Sequence, residues 1–266
     1  MYGAMSGSPA KALLGALATL LVAAGIPAAA SAESRQTYEA KLTSERPNSS
    51  TGFRQAIHYV NPDDADAKPH AVEKVVLRLP RGSRVDTSVP AQCSASEAEF
   101  QLDGAEACPA KTEVGEGFLS VDFGAALGPL PRVVENDVTF FNNDDELILF
   151  SESTNTGEPP VRTASRFEVG TRTFVSRVPP LPGTPPPDPF AALKDVFNRI
   201  EAIERGRSTA AREAYITAPP KCPHRGHWTL TATFTYRDGV VQTERSRTPC
   251  RGERSTGFSR RSAPRR

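Results

Sequence analysis

The stretch HWTLTATFTYRDGVVQTERSRTPC, His227 to Cys250, restricts the fold more than any other part of the chain. Trp228, Leu230, Ala232, Phe234 and Tyr236 alternate with Thr229, Thr231, Thr233 and Thr235. Side chains alternate across a strand, so this pattern makes one apolar face and one Thr face. Asp238-Gly239 predicts a type I′ turn with both residues at positive φ. Val240 to Arg247 then reads as the return strand, closed by Thr248-Pro249-Cys250. The single Trp heads the apolar row, which predicts a core position for Trp228. The functional alternative is a surface ring that stacks on a ligand.

Other segments carry the same period. Tyr38, Ala40 and Leu42 share one face of 36–44, as do Phe53, Ile57 and Tyr59 in 52–60. Val75, Leu77 and Leu79 alternate up to Pro80. Leu119, Val121 and Phe123 share a face with Gly115 and Gly117, and glycine within a strand marks a bend or a close backbone approach. VVENDVTFF and LILFSES predict a hairpin about a turn at 142–146, and RFEVGTRTFVSRV predicts a strand or bent strand pair. SASEAEF predicts one helical turn.

LPGTPPPDP (181–189) reads as a stiff, extended linker. After it, Leu193, Val196, Phe197, Ile200 and Ile203 fit helical spacing, which predicts an amphipathic helix over 190–204. Many short strands with Gly and Pro between them point to an all-β fold, an antiparallel β-sandwich over 33–250. Two subdomains joined near 181–189 are the alternative.

Lys11 precedes a charge-free apolar run, Ala12 to Ile26, then Pro27 and Ala30-Ser31-Ala32. This is the layout of a secretory signal peptide over 1–32, cut after Ala32. The run falls short of the ~20 apolar residues that span a bilayer. An uncleaved N-terminal anchor is the alternative. The chain is therefore expected to be secreted or extracytoplasmic.

All four Cys lie beyond that site. An even count in an exported chain favours disulfides. Four Cys allow three pairings, and the local one, Cys93–Cys108 with Cys222–Cys250, is expected because each pair flanks a compact segment. The competing zinc set of Cys222, His224, His227 and Cys250 lacks the usual ligand spacing.

The formal net charge is +1. Without Lys11 it is 0, and six Arg against one Glu give the tail 251–266 a charge of +5, leaving −5 on 33–250. Arg251, Arg254, Arg260, Arg261, Arg265 and Arg266 suit an anionic envelope polymer, within a tail expected to be disordered. Only Phe258 interrupts them, which argues against nucleic acid, since stacking on bases needs interleaved aromatics.

CPAKTEVGEG (108–117), ITAPPKCPHRGHW (216–228), FTYRDG (234–239) and TPC (248–250) together resemble exported proteins of high-GC actinobacteria. The resemblance covers roughly 88–250. It implies an exported, disulfide-containing all-β domain, and a strand in place of the 190–204 helix. It implies no activity and no functional residues.

Motifs for known chemistry are missing: no Gly-x-Ser-x-Gly elbow, His-Glu-x-x-His, P-loop or Gly-x-Gly-x-x-Gly. No cofactor is implied. Asn142, Asp144, Asp145 and Glu146 are oxygen-rich and could suit calcium, as could Asp63, Asp64 and Asp66, but neither group has EF-hand spacing. Such residues equally suit turns. Glu113 and Glu116 would need a facing carboxylate for glycosidase chemistry. His58, His70, His224 and His227 form no sequence motif. His224, His227 and Trp228 are the candidate ligand contacts. The expected function is a non-enzymatic binding or structural module; the alternative is a secreted hydrolase on the same scaffold.

Overall fold

The computed structural model describes residues 33–206 and 213–252. The expected signal peptide and the tail residues Arg254, Arg260, Arg261, Arg265 and Arg266 lie outside the described residues. The main sheet has eleven strands: β1 (Gln36–Leu42), β2 (Phe53–Tyr59), β3 (Val72–Arg78), β4 (Glu113–Asp122), β5 (Val133–Asn143), β6 (Glu146–Ser153), β7 (Arg162–Gly170), β8 (Thr173–Arg177), β9 (Ala192–Ile200), β10 (His227–Tyr236) and β11 (Val241–Pro249). Their spatial order is β1-β2-β9-β4-β5-β6-β7-β8-β3-β10-β11, and neighbours are antiparallel.

The sheet curls until its two edges meet. Side chains join them: the Leu42 N–H donates to Thr248 Oγ1 (2.9 Å), and Gln242 accepts from the Arg35 N–H (3.0 Å) and donates to the Glu33 carbonyl (2.9 Å). The result is an antiparallel β-sandwich rolled almost into a barrel. Near-closure shields both edge strands, which would otherwise offer free backbone groups to another chain.

Period two builds the interior. Tyr38, Ala40 and Leu42 of β1 are buried, as are Phe53, Ile57 and Tyr59 of β2 and the whole Trp228-to-Tyr236 row of β10. Trp228 is only 2% exposed, and its Nε1–H donates to the Lys221 carbonyl (3.1 Å). The core position expected for Trp228 is the one it occupies. Burying each large apolar side chain stabilises by roughly 1.5–3 kcal/mol.

The run LILF in β6 is apolar at every position because both of its faces are covered. Leu147 and Leu149 point into the barrel core, while Ile148 and Phe150 join a second cluster outside it. Helix α1 (Glu97–Asp103) caps that cluster through Phe100, whose ring lies 5.2 Å from that of Phe150 and 5.9 Å from that of Phe141. The helix starts on a capping box: Ser96 Oγ accepts from the Glu99 N–H, and Glu99 Oε2 accepts from the Ser96 N–H (2.7 Å). Cys93–Cys108 brackets the helix, and Cys222–Cys250 ties the entry to β10 to the end of β11, each with Cα atoms 5.5 Å apart. The local pairing is therefore the one formed, and these cysteines are not thiolate ligands for zinc.

Three expectations are corrected. Residues 192–200 form strand β9, not a helix. The segment fills the gap between β2 and β4 and gains ladders on both sides, so tertiary pairing overrides a local pattern that favours the helical period. The β10–β11 connection is not a type I′ turn. It spans Arg237 to Gly239, the Gly239 N–H bonds to the Tyr236 carbonyl, and Gly239 (φ 86°) takes the left-handed position while Asp238 does not. A three-residue turn with a glycine bulge absorbs the extra residue. The Pro-rich segment doubles back instead of running extended, with the Gly183 N–H on the Pro189 carbonyl (2.9 Å) and Pro182 bridged to Phe190.

Candidate ligand-binding cavity

The barrel is not filled evenly. Along the inner face of β6 the side chains run Leu147, Leu149, Ser151, Ser153, and opposite them β7 presents Phe167, Ser165 and Thr163. β8 adds Phe174, then Ser176. Aromatic rings of Phe53, Phe140, Phe167 and Phe174 close one end. At the other end small side chains leave a hollow of about 180 Å³. Ile57, Leu119, Val121, Leu149, Val196 and Phe167 line it, with few polar groups. A smaller lobe of about 40 Å³ lies towards the aromatic end and shares Gln55, Val75, Phe167, Ser176 and Asn198 with the larger one.

The larger lobe reaches solvent. Val161, just before β7, and Leu181, in the Pro-rich loop, both line it and are 41% and 37% exposed. That loop is held in place. Buried Lys68 donates through Nζ to the Asp188 carbonyl (2.7 Å) and to the Phe190 carbonyl, and Thr184 N–H bonds to the Phe123 carbonyl (2.8 Å). Burial lowers the Lys68 pKa below its usual value, against the pull of Asp188 and Asp122. Beside it, Arg132 pairs with buried Asp122 through two nitrogens (3.1 and 3.0 Å).

Polar groups at the larger lobe are of two kinds. Asn136 is bonded to the Val134 and Leu119 carbonyls, and Ser151 to Thr163. Asn198 is different: it is 8% exposed, and its Oδ1 is buried with no hydrogen-bond partner. It sits across from Gln55 on β2 and Gly117 on β4. Arg177 and Tyr59 are the ionisable residues of the lining: the mostly exposed Arg177 guanidinium bonds to Glu168 (3.2 Å), while the Tyr59 hydroxyl is buried with no hydrogen-bond partner, and burial raises its pKa well above the usual value. The interior thus offers apolar contact and neutral polar groups.

The outer face of β1, β2, β9, β4 and β5 forms a shallow depression, about 880 Å³. Phe118 and Phe197 lie on it with ring centroids 6.3 Å apart, and Phe197 is 51% exposed. Around them stand Lys41, Arg54, Glu116, Asp137 and Arg199, and Arg199 is paired with Glu201 (2.6 Å). Glu113 and Glu116 line the same depression.

The residues singled out from sequence do not converge. His224 and His227 are exposed or half-exposed near the Cys222–Cys250 bridge, and His227 Nδ1 bonds to the Arg225 carbonyl (2.9 Å). Asn142 is buried and donates to the Thr87 (2.8 Å) and Ala91 (3.2 Å) carbonyls, so it holds the 87–91 loop. Asp145 takes the left-handed turn position (φ 50°), and Glu146 accepts from Arg166 (2.9 Å). Asp144 belongs to the same turn. Asp64 accepts from the Asp66 N–H within the 61–66 turn. Among the described residues no three His, Cys, Asp or Glu side chains could hold a metal ion. Arg251 pairs with Glu45 at the start of the tail.

One constellation not visible in the sequence does form. His58 Nδ1 lies 2.6 Å from Asp195 Oδ1, and Ser120 Oγ lies 3.3 Å from Asp195 Oδ2. Its order is serine, aspartate, histidine. The serine hydroxyl meets the carboxylate, and the imidazole has no access to its proton through this contact, so this is not the arrangement that activates a serine nucleophile. Sequence reasoning also missed Asn198 and Ser176. Reading 190–204 as a strand would have placed Asn198 on the inner face.

No protein-family model, no curated protein and no solved structure matches this chain. No helix among the described residues is long and apolar enough to cross a membrane.

Proposed function

We propose that the protein is an exported, non-enzymatic binding module that takes a small apolar molecule into its barrel. The observation that carries this reading is the apolar hollow of about 180 Å³, open to solvent past Val161 and Leu181. Binding sites are typically preformed and mostly apolar, with few polar groups. An engineered cavity of about 150 Å³ stays dry and takes up benzene, so this hollow suits a molecule somewhat larger than a benzene ring. Export rests on the signal-like run at 1–32, and two disulfides agree with an oxidising compartment. The Arg-rich tail would hold the module near an anionic envelope polymer.

The test uses n-octane and the purified chain from Glu33 onward, with headspace partitioning as the readout. Saturable binding at one octane per protein is expected. Ser165→Leu, which puts a larger side chain into the hollow, should abolish it while the fold is kept. Absence of saturable uptake by the unmodified protein would end this reading. Export itself is checked by N-terminal sequencing of the mature protein, expected to begin at Glu33.

A further inference from the structure

We infer that the depression on the outer face of the sheet binds a neutral, extended glycan, whose sugar rings lie on Phe118 and Phe197. This site is separate from the interior hollow and does not depend on it. Strand register sets two rows of side chains next to each other across the depression. In one, Glu39, Ala56, Phe197, Phe118 and Asp137 stand opposite one another on β1, β2, β9, β4 and β5. In the next, two residues along each strand, stand Lys41, Arg54, Arg199, Glu116 and Thr139. With neighbouring strands about 4.8 Å apart, each row is roughly 19 Å long, the reach of an oligosaccharide and not of a single sugar.

The centre of the first row is a platform. Phe197 is 51% exposed, and the residue opposite it on β2 is only Ala56, too small to cover the ring. Phe118 lies half-buried beside it. An aromatic face carries negative charge density, and the C–H groups on the face of a sugar ring are slightly positive, so the two stack. The rim decides the class of ligand. Three cations and four carboxylates line the depression, so its fixed charge nearly cancels. Arg199 and Glu116 are paired with each other (4.0 Å), and Arg199 also with Glu201. Lys41, Arg54, Glu39 and Asp137 make no side-chain hydrogen bond or ion pair among the described residues. Arg54 stands directly between Lys41 and Arg199, and like charges placed opposite each other on adjacent strands cost stability. Sugar hydroxyls accept from such cations and donate to such carboxylates, so a neutral glycan uses both signs. A polyanion would meet the four carboxylates. A protein partner would have to desolvate the unpaired charges, which interface centres avoid.

The probes are cellohexaose and N-acetylchitohexaose, both neutral with equatorial ring substituents, and hexagalacturonate and oligothymidylate as anionic comparisons. Each is titrated by calorimetry into the purified protein. Saturable binding of at least one neutral probe is expected. It should weaken about tenfold in Phe197→Ala, which removes the exposed ring. It should weaken about three- to tenfold in Arg54→Met, which keeps the stem and removes the donors. Thermal unfolding confirms that each variant is folded, and if Phe197→Ala is not, Arg54→Met decides. Ser165→Leu, which fills the interior hollow, should leave glycan binding unchanged. Loss of that binding in folded Ser165→Leu overturns the assignment to the outer face. Absence of saturable binding for both neutral probes overturns the inference, as does undiminished binding in the folded Phe197 and Arg54 variants. Tighter binding of hexagalacturonate overturns the neutrality of the ligand, and tighter binding of oligothymidylate overturns its being a glycan. Octane uptake by the hollow is read separately, so either site can fail without the other.

Discussion

Gly115 stands opposite Ile200 across the β4–β9 ladder, so close that a Cβ on Gly115 would lie 2.2 Å from the Arg199 carbonyl oxygen. The obstruction is backbone, which cannot swing aside as a side chain can. This approach lets β9 insert between β2 and β4 and draws that wall of the barrel inward. Gly115→Ala is therefore expected to destabilise by roughly 1–3 kcal/mol or more, as overpacking does. Denaturant unfolding of the variant measures it. A variant as stable as the parent would mean that β9 does not pack against β4 in this way.

Trp228→Ala should cost roughly 3–5 kcal/mol, the usual range for emptying a large core site. Trp228→Phe keeps most of the volume but leaves the Lys221 carbonyl without its indole donor, so its cost should be smaller, about 1–3 kcal/mol. Emission from this single Trp should be blue-shifted in the native protein and move red on unfolding. Indole emission typical of water in the native state would contradict its burial.

The two disulfides should differ in what their loss exposes. The chain-entropy estimate gives about 3 kcal/mol for closing the 15-residue separation and about 3.5 kcal/mol for the 28-residue one. Cys93 and Cys108 also border the cluster that Phe100 covers. Cys93→Ser with Cys108→Ser should loosen α1 and uncover Phe141, Ile148 and Phe150. Hydrogen exchange would then rise across 96–108 before the rest of the barrel opens. Cys222→Ser with Cys250→Ser should instead raise exchange at the ends of β10 and β11.

These elements differ in how far the sequence reveals them. The Trp228 row was legible because one face is wholly apolar and the other wholly Thr, so only one register buries it. The local disulfides were legible because each Cys pair brackets a short segment. β9 was not, because Leu193, Val196 and Ile200 fit helical spacing, the strand brings Leu193 and Val196 to one face only through a bulge between them, and the partners that decide, β2 and β4, are far away in sequence. The hollow was less legible still. Ser165, Ser176 and Asn198 read singly as ordinary strand residues, and they make a cavity only once β7, β8 and β9 are wrapped together. The one local hint was the inner face of LILFSES, where Leu147 and Leu149 give way to Ser151 and Ser153.

His70 should make the fold acid-sensitive. It lies beside Arg35, Asp238, Asp188 and Asp63, its Nε2 is buried without a partner, and its Nδ1 is 3.7 Å from Asp238 Oδ2. Burial first, and Arg35 second, lower its pKa below the ordinary 6.5, and the nearby aspartates offset this only in part. Above that value His70 is neutral whether the chain is folded or unfolded, so its stabilisation is fully present. As pH falls through 6.5 the unfolded chain takes up a proton that the folded one resists, and stability drops. The drop ends once pH passes the lowered folded value. Burial alone would raise the Asp238 carboxyl, but its bonds to Arg35 and the Val240 N–H outweigh that and hold it below its usual 3.8. Asp238 therefore contributes stability at neutral pH that is lost only at distinctly lower pH, around and below 3.8. Unfolding free energy measured between pH 7.5 and 5 should decline in the parent and decline less in His70→Gln. Equal slopes in the two proteins would remove His70 as the cause.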